Sequence, residues 1–103
     1  MSYIYSIIRK DIPLADQIVQ TAHSAFHAGN ESTDLEGQIP SLILLEIPDE
    51  KALAQLSEKL RTNNIVHSTF FEPDDNMGYT SLTTEPITGE DRKLFSNYRL
   101  WRA

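Results

Sequence analysis

Apolar positions recur along this chain with two periods. YIYSIIR (residues 3–9) and SLILLEI (41–47) are near-continuous apolar runs of strand length, and the second has the form of a strand buried on both faces. Between them, Leu14, Ile18, Ala22, Ala25 and Phe26 fall at helical spacings and form an apolar stripe expected to face the core. Gln20, His23 and His27 lie at i, i+3 and i+7 on a polar stripe beside it. The spacing predicts a helix from about Pro13 to Ala28, with Asp11 as cap, Pro13 in the first turn and Gly29-Asn30 as the stop.

GNESTDLEGQ (29–38) is polar, holds two glycines and reads as a surface loop. In DEKALAQLSEKLRTNN, Leu53, Leu56 and Leu60 keep helical spacing, with acids at the start and Lys59 and Arg61 near the end. IVHSTFFE (65–72) and YTSLTTE (79–85) read as third and fourth strands across the turn-rich PDDNMG (73–78). Thr88 to Glu90 can cap a short helix over Asp91 to Phe95, and NYRLWRA closes the chain. The order β-α-β-α-β-β-α predicts one domain over residues 1–103. Its expected form is a three-layer α/β/α sandwich on a four-stranded mixed sheet, three strands parallel and the last antiparallel.

Composition narrows this without changing it. At 103 residues, 40% hydrophobic and 23% charged, the chain is an ordinary globular domain with one core. It has no cysteine, which excludes disulfides, thiolate metal sites and a cysteine nucleophile and fits a reducing cytoplasm, the expected location. The apolar runs fall short of the roughly 20 residues a membrane span needs, and MSYIYSIIRK is apolar before it is basic, the reverse of a secretory signal. No membrane partner is expected. The net charge of −6 disfavours general affinity for nucleic-acid phosphates, so any such binding must be local.

The residues that could carry chemistry form three groups. HSAFH (23–27) has two histidines at i, i+4 but lacks the internal Glu of a zinc hydrolase, so no metal or cofactor is expected. His23 is expected to be a packed histidine holding a backbone carbonyl, and His27 an exposed residue near the helix end. Arg9, Lys10 and Asp11 stand at the C-terminal end of strand 1, where open α/β sheets place ligands. Glu72, Asp74 and Asp75 lie near the mouth of the sheet that presents Thr80; they suit either ester hydrolysis or a solvated acidic turn. Arg92, Lys93, Arg99 and Arg102 interleave with Phe95, Tyr98 and Trp101. That mixture can bind single-stranded nucleic acid, but the favoured expectation is a terminus docking its aromatics on the core with its arginines outward.

In this order of elements the sequence resembles the peptidyl-tRNA hydrolase II family over almost its whole length. Ile8-Arg9-Lys10-Asp11 resembles that family's first strand and Arg-x-Asp-Leu turn, and Ile18-Val19-Gln20-Thr21-Ala22-His23-Ser24-Ala25 its Gln-x-x-His helix. Leu42 to Glu50 is similar to its second strand and acidic helix start, and Tyr79 to Pro86 to its last strand. The resemblance implies a site framed by Glu72, Thr80, Lys10 and Asp11 as catalytic residues, with Arg9, Gln20 and His23 binding substrate or supporting them. It implies tRNA or an acylated small substrate as partner, and admits a homodimer. Two departures stand against activity. Residues 12–17, IPLADQ, contain no lysine where the family has a catalytic one, and the loop before the last strand is short and lacks the family's Arg-Thr pair. A hydrolase of altered or weakened activity and a catalytically silent binding module both follow from this pattern.

Overall fold

The structure is a computed structural model and describes residues 2–31 and 40–103. Strands β1 (Tyr3–Arg9), β2 (Ser41–Ile47), β3 (His67–Glu72), β4 (Gly78–Thr84) and β5 (Arg99–Leu100) form one mixed sheet in the order β3-β4-β1-β2-β5. Helix α1 (Leu14–Glu31) joins β1 to β2, and α2 (Glu50–Thr62) joins β2 to β3. A 3-10 helix, Gly89–Phe95, precedes β5. β1 pairs parallel with β2 from Tyr3↔Ser41 to Arg9↔Ile47, and antiparallel with β4, which pairs antiparallel with β3. β1, β2 and β3 therefore share one direction, as expected.

The sheet differs from the expected four strands by β5. Its two residues pair with Leu45 and Glu46 of β2, and the next residue, Trp101, donates its N–H to the Leu44 carbonyl at 3.0 Å. Two residues are too few to show a period, so only pairing with β2 makes them a strand.

α2 forms as its sequence indicates. Asp49 caps it by accepting the Ala52 N–H at 2.9 Å, and at its far end Asn64 takes the left-handed conformation (φ 60°) that turns the chain toward β3. Leu53, Leu56 and Leu60 are buried with Tyr5, Ile7, Leu45, Ile47 and Leu82 in the hydrophobic core. Phe95 seals this side by stacking on Tyr5, with ring centroids 4.1 Å apart.

α1 departs from expectation twice. Its stop is not at Gly29: the helix runs through Glu31, whose carboxylate meets His27 Nε2 at 2.8 Å and accepts the Ser68 hydroxyl of β3 at 2.8 Å. Those contacts hold the last turn against the local preference of glycine and asparagine to end it. The remainder of the proposed 29–38 loop lies outside the described residues. The orientation is also reversed. Gln17, Gln20 and Ser24 are the buried residues of α1, while Leu14, Ile18, Val19 and Phe26 are exposed. Side chains alternate across a strand, and the side of the sheet toward α1 carries Ser6, Ser81 and Thr83. Thr83 Oγ1 lies 2.8 Å from both Ser6 Oγ and Ser24 Oγ, and the Ser81 hydroxyl donates to the Gln20 carbonyl at 3.3 Å. Buried hydroxyls need partners, so the polar stripe of α1 turns inward. Among the described residues no buried side-chain polar atom lacks a hydrogen bond.

SLILLEI is less enclosed than expected: Ser41 and Leu42 are exposed, and Leu45 and Ile47 are its buried members. Among the described residues no helix is long and apolar enough to cross a membrane.

Candidate functional site

Because β1 and β3 run in the same direction, their C-terminal ends bring Arg9 and Glu72 to one end of the sheet, on either side of the start of β4. The β3–β4 turn that separates them is tight. Asp75 and Asn76 both adopt left-handed backbone, at φ 55° and 56°, which short Asx side chains tolerate best. Gly78 follows at φ 74°, and any Cβ there would collide with the Glu50 carboxylate that accepts the Tyr79 N–H at 2.8 Å.

On the α1 side, four of the sequence-selected residues converge. Gln20 is the hub. Its Oε1 accepts the Thr80 hydroxyl at 2.9 Å, and its Nε2 donates to Glu72 Oε2 at 3.1 Å. The other Glu72 oxygen accepts the Asp74 N–H at 3.2 Å. The Gln20 amide, the Asp74 N–H and the nearby His23 ring together hold the Glu72 carboxyl below the usual glutamate range. Glu72 is therefore a carboxylate at neutral pH, suited to accept a proton or orient water and unsuited to donate a proton. Thr80 is 0% exposed, so its hydroxyl meets Gln20 and no solvent. His23 is not the packed, carbonyl-holding histidine expected: it is exposed and lies flat on Phe70, ring centroids 5.1 Å apart. β3 leaves Phe70 uncovered there, and the imidazole covers it. His27 is partly exposed, edge-on to the same Phe70 at 6.1 Å.

The other three selected residues do other work. Arg9 is 8% exposed and fully engaged. Nε and Nη2 grip the Asp11 carboxylate at 2.8 and 2.9 Å, and Nη1 donates to the carbonyls of Met77 and Tyr79, the latter at 3.0 Å. It stays charged, with its pKa raised chiefly by the Asp11 hydrogen bond, and fastens the end of β1 to the start of β4. Asp11 is occupied by the same pair. Lys10 points elsewhere: Nζ donates to the Arg102 carbonyl at 2.6 Å and sits 5.5 Å from the centre of the Trp101 ring. It is not gathered with Glu72 and Thr80.

Sequence reasoning passed over Gln17, which carries as much structure as Gln20. Its Nε2 donates to the Ile12 carbonyl at 2.8 Å and its Oε1 accepts the Trp101 indole N–H at 2.8 Å. A second glutamine on the same stripe as Gln20 was the available signal. The C-terminal aromatics are docked: Phe95 on Tyr5, and Trp101 on Gln17. Arg92 is exposed, as expected, and lies over the Tyr3 ring at 3.8 Å, donating to the Tyr5 hydroxyl at 3.1 Å. On the α2 side, a groove of about 320 Å³ between α2 and β3 is lined by Leu53, Ser57, Arg61, Thr69 and Tyr79 and includes none of the Glu72 cluster. Among the described residues no group of three or more His, Asp or Glu side chains could hold a metal ion.

Fold and site together define a small α/β domain with one five-stranded mixed sheet and a hydrogen-bonded Glu-Gln-Thr cluster beneath its first helix. No family model matches the chain, and no curated protein matches it. The chain is similar to a solved structure described as a protein of unknown function, Atu0240 of Agrobacterium tumefaciens strain C58, with a TM-score of 0.69 over 98% of each chain at 13% identity. At that identity the likeness is one of fold.

Proposed function

We propose that this chain is a partner-binding domain on a peptidyl-tRNA hydrolase II-like fold, with α1 as its binding helix and with ester hydrolysis lost or residual. The observation that carries the reading is the orientation of α1. Its solvent face, Leu14, Ala15, Ile18, Val19, Ala22 and Phe26, contains no charged residue, and Phe26 is 80% exposed. A contiguous apolar face of that kind on a soluble domain marks an interaction surface. The three-layer arrangement implied by the resemblance belongs to the same reading; its support is that α1 and α2 engage alternate residues of β1, Ser6 on one side and Tyr5 and Ile7 on the other.

The weakened hydrolase is favoured by one observation, the convergence of Glu72, Gln20, Thr80 and His23. Against it, ester cleavage needs a base reaching the substrate and donors for the developing oxyanion. Thr80 is sealed beneath Gln20, and the Lys10 ammonium is held by the C-terminal segment. Incubation with peptidyl-tRNA separates the two readings. The expected result is no ester cleavage above the uncatalysed rate, unchanged in Thr80→Val and Glu72→Gln. Turnover that either substitution abolishes would establish the hydrolase and defeat the silent module.

A further inference from the structure

Between α2 and β3 lies a pair of side chains that neither the Glu72 cluster nor the α1 face uses. Ser57 Oγ is 2.7 Å from His67 Nε2, and His67 Nδ1 is 2.9 Å from the Ile65 carbonyl. A carbonyl can only accept, so the neutral ring carries its proton on Nδ1 and turns the lone pair of Nε2 to Ser57, whose hydroxyl donates. A hydroxyl within a helix commonly returns to the carbonyl one turn back, as that of Thr21 does to Gln17 at 2.7 Å. Ser57 points its O–H at an imidazole instead. The ring is also held from behind. Asn64 turns the chain at the end of α2 and the Ile65 N–H bonds the Leu60 carbonyl at 2.8 Å, which fixes the residue whose carbonyl orients His67. We infer that Ser57 and His67 are the nucleophile and general base of a covalent acyl-transfer site, separate from the Glu72 cluster, that takes the acyl group of small uncharged esters onto Ser57. The peptidyl-tRNA hydrolase II resemblance implies neither residue.

The surroundings of the pair suit that substrate. Ser57 lines both the groove of about 320 Å³ and a neighbouring one of about 430 Å³ that contains His67, so its hydroxyl stands where the two meet. Leu53, Ala54 and Tyr79 in the first offer apolar surface to a short acyl chain, and the second is left for the alcohol. Arg61, one turn after Ser57, lines both. Its Nη1 pairs with Glu58, an exposed and therefore weak bond, and the guanidinium has further N–H groups to turn toward a developing oxyanion. In the reaction Ser57 Oγ attacks the ester carbonyl carbon while its proton passes to Nε2 of His67, and negative charge collects on the carbonyl oxygen. The bond to the alcohol then breaks and the Nε2 proton leaves with it. Water, giving a proton to Nε2, releases the acid and restores Ser57. The Ile65 carbonyl fixes the tautomer but carries no charge to offset the imidazolium, as the aspartate of a triad does. Turnover is therefore slow and the acylated Ser57 accumulates. Glu58 at the rim and the net charge of −6 disfavour anionic donors, tRNA among them.

Incubation of the intact chain with p-nitrophenyl butyrate, followed by stopped-flow absorbance and by mass spectrometry of the whole and digested protein, tests this. The expected result is a burst of p-nitrophenol of about one per chain and a butyryl adduct on Ser57. Ser57→Ala should abolish both. His67→Gln should slow acylation by roughly 10²-fold or more, and Arg61→Met by roughly 10²-fold. Exposed histidines cleave aryl esters unaided, and His27→Gln controls for that: burst and adduct should be unchanged. Circular dichroism should show Ser57→Ala folded, since alanine suits a helix interior; if that variant fails to fold, the position of the adduct in the wild type decides alone. No adduct, an adduct on any other residue, or a folded Ser57→Ala with an undiminished burst overturns the proposal. The α1 reading and the peptidyl-tRNA assay stand apart, because neither involves Ser57 or His67.

Discussion

α2 is held to the sheet by Leu53, Leu56 and Leu60, whereas α1 is held by Gln17, Gln20 and Ser24. The first attachment is apolar and non-directional, and it tolerates small shifts of shape. The second is a set of directed hydrogen bonds in which one hydroxyl, that of Thr83, serves both Ser6 and Ser24. Loss of one partner there strands the others in a buried place. The two helices also differ outward: α2 presents Lys51, Glu58 and Arg61 to solvent, the last two as an ion pair, while α1 presents an uncharged apolar face. One helix meets solvent through a charged face, the other through an apolar one.

The sharpest way to test this contrast is to weaken each attachment in turn. Leu56→Ala empties a site that is 1% exposed and should cost about 2–5 kcal/mol in urea denaturation. Thr83→Val keeps the shape and removes the shared hydroxyl, with an expected loss of roughly 1–3 kcal/mol by the same measurement. If Thr83→Val proved neutral, the polar attachment of α1 would not be what holds it. Asp49→Ala removes the cap of α2 and should cost about 1 kcal/mol, visible as faster amide exchange confined to the first turn of α2.

Acid should separate the helices more gently. Glu72 is bound to α1 through Gln20, and its folded pKa lies below the unfolded value. Its contribution to stability is therefore present above the ordinary glutamate pKa and lost as pH falls through the lowered one. Wild type should exceed Glu72→Gln in stability at neutral pH, and the gap should close below about pH 4. A gap independent of pH would show that the carboxylate charge is not what Gln20 and Asp74 recognise. The smallest effect is expected on the outer face: in dilute solution, Phe26→Ser should change monomer stability by less than about 0.5 kcal/mol. A large loss there would mean that the face is not free in the single chain.

What could be read locally and what could not divide along physical lines. Apolar runs, leucine spacing, the Asp49 cap and the charge order of α2 are properties of neighbouring residues, and they correctly placed four strands and both long helices. Gln20, Glu72 and Thr80 were nominated from sequence and do meet, because the common direction of β1 and β3 carries them to one end of the sheet. Lys10 was nominated and goes elsewhere, since the Arg102 carbonyl it binds is brought near by β5, a strand without a sequence period. The last turn of α1 survives Gly29 only through Glu31 and its contact with Ser68 on β3.

The sequence by itself determined that the helix expected from about Pro13 to Ala28 carries one polar and one apolar stripe, since a helical period depends on spacing alone. Which stripe would be buried was decided by the tertiary structure. Ser6, Ser81 and Thr83 come from strands far apart in the chain, and only their pairing in one sheet creates a hydroxyl-lined surface that a glutamine and serine stripe can satisfy better than a leucine one.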